Sequence, residues 1–81
     1  MKVRLLYYGI LRDIIGQREA SIDVTDGTMA VDVWQSLRAR HAALGGYVRP
    51  PLTAINDSFV PPDFILRDGD ELTFVPPVAG G

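Results

Sequence analysis

The sequence predicts an α+β fold in which a mixed β-sheet packs on one main helix. Three observations carry that expectation. Period-two alternation marks residues 2–8 and 18–24 as strands, and short β-rich runs stand at 52–56 and 71–75. A single apolar stripe at spacings of three and four runs through residues 29–43. The turn-forming pairs Asp26-Gly27, Asn56-Asp57 and Asp68-Gly69 punctuate the chain between these segments. An apolar helix face must be covered, and a sheet laid across it is the economical way to build one core.

The elements follow in order. Val3, Leu5 and Tyr7 share one face of the first strand, with Arg4, Leu6 and Tyr8 on the other. Ile10, Leu11, Ile14 and Ile15 predict one or two helical turns over 10–15, with Gly16 as the C-terminal cap. In the second strand Ala20, Ile22 and Val24 point inward. Thr28 is placed to cap the main helix, and Asp32 suits the positive end of its dipole. The stripe consists of Ala30, Val33, Trp34, Leu37, His41 and Leu44, and Gly45-Gly46 is expected to end it. Leu52 to Asn56 reads as a third strand and Phe59-Val60 as the start of a partner that Pro61-Pro62 stops. Glu71 to Val75 is the last strand, with Phe74 turned inward and Val75 outward. Strand, strand, helix, strand, short strand, strand is the order of the β-grasp architecture of ubiquitin-like domains. In that architecture the first and last strands lie side by side and parallel at the centre of the sheet.

Composition narrows the function. The chain has 81 residues, enough for one small domain that buries only about 60% of its unfolded surface. With 47% hydrophobic and 22% charged residues it can build a core, so disorder is not expected. There is no cysteine, which removes disulfides, thiolate metal ligands and a cysteine nucleophile, and fits a reducing cytoplasm. No apolar run approaches the length of a membrane span, about 20 residues. Net charge is −2 and the seven arginines are scattered, so a nucleic-acid surface is not expected.

The end of the chain carries the sharpest signal. After Val75 come Pro76-Pro77-Val78-Ala79-Gly80-Gly81. Two prolines cannot continue a ladder and favour an extended stem. Six extended residues reach roughly 20 Å, and glycine, lacking a Cβ, threads a narrow channel. A carboxylate delivered in this way suits activation as an acyl-adenylate by another protein. The reading divides the chain into a domain over 1–75 and a mobile tail over 76–81.

Several motifs together resemble the MoaD/ThiS family of sulfur carriers, and within it the MoaD-type carriers that are small subunits of molybdopterin synthase. They are Tyr7 to Asp13 with Gly16, Ala54-Ile55-Asn56, Leu66 to Glu71, and above all Phe74 to Gly81. The segment from His41 to Pro51 carries no part of the resemblance. The resemblance implies that an E1-like adenylyltransferase uses ATP to activate the Gly81 carboxylate, beside the flexible Gly80. A sulfur donor then makes the thiocarboxylate, and the tail delivers that sulfur to a pterin precursor inside the large subunit of the synthase. No cofactor is expected on the chain itself. Close rivals are a carrier for the thiazole of thiamine and a ubiquitin-like protein modifier, the latter with Lys2 as its only lysine.

Other residues are weighed against simpler roles. His41 has no second histidine or cysteine to form a metal set, and Trp34 reads as a core anchor. Asp68 and Asp70 fit a turn around Gly69 better than a calcium loop, which needs more oxygens. If the first and last strands are neighbours, Tyr8 and Val75 meet near the exit of the tail as an apolar docking patch. Arg12 would then stand beside them as a charged rim, with Pro76, Pro77, Val78 and Ala79 completing the partner contact.

Overall fold

Strand β1 (Lys2–Leu6) alternates as its sequence requires, with Val3 and Leu5 buried and Lys2 and Arg4 exposed. The computed structural model describes residues 1–47 and 51–75. Helix α1 (Gly9–Ile15) follows, buries Leu11, and stops at Gly16. The Gly16 N–H donates to the Arg12 carbonyl at 2.8 Å with φ at 81°, a left-handed cap that glycine adopts without a Cβ penalty. Strand β2 (Glu19–Asp23) returns antiparallel to β1, setting Ile22 opposite Val3 and Ala20 opposite Leu5.

Helix α2 (Ala30–Arg40) crosses the sheet and buries Ala30, Val33, Trp34 and Leu37. A short 3-10 turn, Ala42–Leu44, buries Leu44. Strands β3 (Leu52–Ile55) and β4 (Ser58–Val60) form a hairpin, and β5 (Glu71–Val75) completes the sheet. The strand order is β2-β1-β5-β3-β4. Among the described strands only β1 and β5 pair in parallel, and they lie inside the sheet, with Leu5 beside Leu72. This is the expected β-grasp arrangement. Among the described residues no helix is long and apolar enough to cross a membrane.

The core lies between α2 and the inner face of the sheet. Trp34 is 1% exposed and packs on Phe74, with ring centroids 5.2 Å apart and planes tilted by 55°. Leu5, Leu72, Leu11, Leu44 and Leu66 close around them. Burying each such side chain fully contributes about 1.5–3 kcal/mol, so a domain this small depends on every one.

Local chemistry departs from the sequence reading at four places. Thr28 does not cap α2. The helix begins one residue later behind Met29, whose backbone N–H donates to Asp32 Oδ2 at 2.8 Å, while the Thr28 hydroxyl lies 3.3 Å from that of Thr25. Helix α2 ends at Arg40, short of the glycine pair, because His41 turns to an extended conformation and the chain tightens into the 3-10 turn. His41 is therefore a half-exposed cap, off the buried stripe. Strand β1 stops at Leu6, since Tyr7 already donates its N–H to Arg18 beyond the ladder and Tyr8 leads into α1. Asn56 belongs to the β3–β4 turn, where it and Asp57 take positive φ of 49° and 70°.

The Asp68-Gly69-Asp70 segment is a clamp. Asp68 accepts from the Lys2 N–H at 2.8 Å, and the Gly69 N–H donates to the Lys2 carbonyl at 2.8 Å. Asp70, 7% exposed, accepts from the Arg67 N–H at 2.8 Å and from the Asn56 amide at 3.3 Å. The Asn56 side chain in turn accepts from the Glu71 N–H at 3.0 Å. One turn thus ties the start of β1, the β3–β4 hairpin and the start of β5.

Candidate functional site

With α2 covering the inner face, the outer face of the sheet is left open, and its residues divide by chemistry. On the β2–β1 side it is charged. Arg4 bridges Glu19 at 2.6 Å and Glu71 at 3.0 Å, and Lys2 pairs with Asp23 at 3.2 Å. The hydrogen bond and charge of Glu19, then the charge of Glu71, hold the Arg4 guanidinium above its ordinary pKa. These pairs are exposed, so they fix orientation more than they stabilise.

On the β5–β3–β4 side the same face is apolar. Leu52 lies directly opposite Val75, and Ala54 lies between Thr73 and Phe59. Leu52, Phe59 and Val75 are 63%, 72% and 44% exposed, large apolar side chains grouped on one surface instead of scattered. Val75 is the last described residue, so the patch sits where residue 76 departs.

The structure places the sequence-predicted residues as follows. Tyr8 is 60% exposed at the start of α1, and Arg12 is exposed in the last turn of that helix. The β1–β5 ladder reaches Leu6 beside Thr73, so Tyr8 and Val75, each two residues further, stand at the same end of the sheet. Phe74 is buried and Val75 is not, which is the expected parity. Pro76, Pro77, Val78, Ala79, Gly80 and Gly81 lie outside the described residues. Among the described residues no cluster of histidine, cysteine or carboxylate side chains forms a metal set.

Leu52 and Phe59 are the residues that sequence reasoning missed. Strand β3 turns Thr53 and Ile55 inward, Thr53 at 4% exposure with its hydroxyl donating to the Pro51 carbonyl at 3.3 Å. Alternation in Leu52-Thr53-Ala54-Ile55 offers two faces of similar hydrophobicity. Only the pairing of Leu52 with Val75 decides which one faces out.

A mixed sheet folded over one main helix, with its parallel first and last strands central and an apolar patch at the root of the C-terminus, defines a ubiquitin-like β-grasp protein. Comparison with known proteins carries this further. The chain belongs to the ThiS family, whose model matches residues 5–81. It is 31% identical to the molybdopterin synthase sulfur carrier subunit of Chlamydomonas reinhardtii, covering 100% of both chains. It is 30% identical to small archaeal modifier protein 3 of Haloferax volcanii, again over 100% of both. Among solved structures, the Haloferax volcanii protein HVO 2177 superposes with a TM-score of 0.86 at 29% identity, covering 100% of this chain and 87% of that one. A chain of the Amycolatopsis orientalis BexX/CysO complex matches with a TM-score of 0.66 at 26% identity, covering 98% and 99%.

Proposed function

We propose that this protein is a sulfur carrier acting with molybdopterin synthase. The observation that carries the reading is the end-to-end likeness to the Chlamydomonas sulfur carrier subunit, with no part of either chain left over. In this reading the Gly81 carboxylate attacks the α-phosphorus of ATP on an E1-like adenylyltransferase and displaces pyrophosphate. A sulfide-level sulfur (HS⁻) released by a donor then attacks the acyl carbon and displaces AMP, leaving a thiocarboxylate. The chain contains no cysteine to hold sulfur as a persulfide, so the terminal carboxyl is the group suited to carry it. Catalysis belongs to the partners, and the domain supplies recognition.

The outer-face patch supports the recognition half. Leu52, Phe59 and Val75 offer an apolar centre, Tyr8 adds an aromatic side chain at the same end, and the Arg4 ion-pair row and Arg12 form a polar rim. Protein interfaces are built in this way. The occupants are the activating enzyme and the large subunit of the synthase, used in turn.

Intact-mass measurement tests the reading. The chain, incubated with an E1-like enzyme, ATP and a sulfur donor, gains about 16 Da as one oxygen is replaced by sulfur. An unchanged mass under conditions that load a known carrier overturns it. A second reading rests on the 30% identity to the archaeal modifier: the activated carboxyl is joined to an amine of another protein. Appearance of high-mass conjugates in place of the thiocarboxylate selects that reading.

A further inference from the structure

The carrier reading uses neither the edge strand β2 nor the cleft beside it. By the strand order, β2 ends the sheet, and among the described residues no strand pairs with its outer edge. Exposed edges are usually blunted by shortness, proline, a bulge or charge, because their open N–H and C=O groups pair with other chains. The opposite edge has such protection: β4 is three residues long and runs into Pro61-Pro62. Strand β2 is five residues long, in unbroken register with β1, and contains no proline. Its charged residues do not guard the edge either, since Glu19 and Asp23 are drawn to Arg4 and Lys2 of β1.

Beside this edge, α2 leaves β2 incompletely covered. Ala20, Ile22 and Val24 are only half-buried, and a cleft of about 490 Å³ opens between strand and helix. Leu5 and Tyr7 form its floor, Ile22 and Val24 one wall, Val33 and Leu37 the other. Its two ends differ in charge. Asp32 stands where β2 leads into α2, while Arg40 stands at the far end. Arg40 acts electrostatically on the Tyr7 phenol there and makes no ion pair among the described residues.

We propose that this cleft takes an extended segment of a partner protein, which adds to β2 as a sixth, antiparallel strand. Main-chain bonds to the open edge hold it, and alternate apolar side chains enter the cleft. Antiparallel pairing sets the segment's N-terminal end beside Asp32 and its C-terminal end beside Arg40. The matching segment is therefore basic at its start, β-branched at alternate positions and acidic at its end. This surface is separate from the outer-face patch, so the inference stands independently of the sulfur-carrier reading.

The test uses the full chain, labelled with nitrogen-15, and the synthetic peptide acetyl-Lys-Thr-Val-Thr-Val-Thr-Glu-amide. Saturable amide shifts are expected over residues 19–24 and 33–40. Arg40→Glu, an exposed change, should weaken binding about three- to fivefold, and changing the peptide's terminal Glu to Lys should restore it on that variant. Shifts centred on Leu52, Phe59 and Val75, no saturable shifts, or equal affinity for both peptides on both proteins would overturn the proposal. So would concentration-dependent shifts of β2 without peptide, which would make a second copy the occupant.

Discussion

Trp34 of α2 and Phe74 of β5 meet at the centre of the core, 5.2 Å between ring centroids and tilted by 55°. That contact joins the main helix to the strand from which the C-terminus departs. Because neighbours along a strand point to opposite faces, seating Phe74 inward sends Val75 outward.

Replacing Phe74 with alanine should therefore destabilise the fold by about 3–5 kcal/mol, a large part of the stability of so small a domain. Urea unfolding monitored by the fluorescence of Trp34 measures it. A loss below about 1 kcal/mol would show that the aromatic pair is peripheral.

Val75→Asp and Leu52→Asp place charge in the outer-face patch without touching the core. Each should leave the urea midpoint nearly unchanged and weaken binding to the large synthase subunit at least about tenfold. Unfolding by either substitution would mean that the exposed pair is a structural element.

Deleting Gly81 should abolish thiocarboxylate formation with the fold intact, as judged by circular dichroism and by binding to the large subunit. A truncated chain that still gains sulfur would move the acceptor elsewhere.

Asp70 is the buried member of the turn clamp, receiving the Arg67 N–H and the Asn56 amide. Asp70→Ala leaves both donors without their acceptor and should cost about 1–3 kcal/mol. Asp68→Ala, which removes one exposed bond to the Lys2 N–H, should cost less. Equal losses would contradict the ranking by burial.

Burial raises the Tyr7 phenol above its ordinary value of 10.0, with Arg40 pulling the other way. The folded state thus holds the proton where the unfolded chain has released it, so stability is complete below the unfolded value and falls as pH rises toward the folded one. Tyr7→Phe removes this dependence. Urea midpoints taken between about pH 9 and 11 should decline less steeply in the variant. Parallel declines would show that the phenol ionises freely in the fold.

The pattern of Val3, Leu5 and Tyr7, the stripe from Ala30 to Leu37, and the turn glycines were sufficient to order the elements. Each is a local signal: period two, period three to four, or a φ that glycine favours. Helix ends were less legible. Thr28 has the right chemistry for a cap, yet Asp32 serves the helix start by reaching back to Met29. His41 continues the apolar spacing, yet the backbone bends there so that Leu44 enters the core from a tighter turn.

What the sequence by itself determined is the β-grasp order of elements and the terminal Pro-Pro to Gly-Gly run, because periodicity, turn chemistry and a missing side chain act on near neighbours. What only the tertiary structure decided is which surfaces remain. Leu52, Phe59 and Val75 form one patch through pairing between strands far apart in the chain. The β2 cleft exists because α2 leaves that edge of the sheet only partly covered. Neither depends on what adjacent residues prefer; both follow from how distant segments share a single small core.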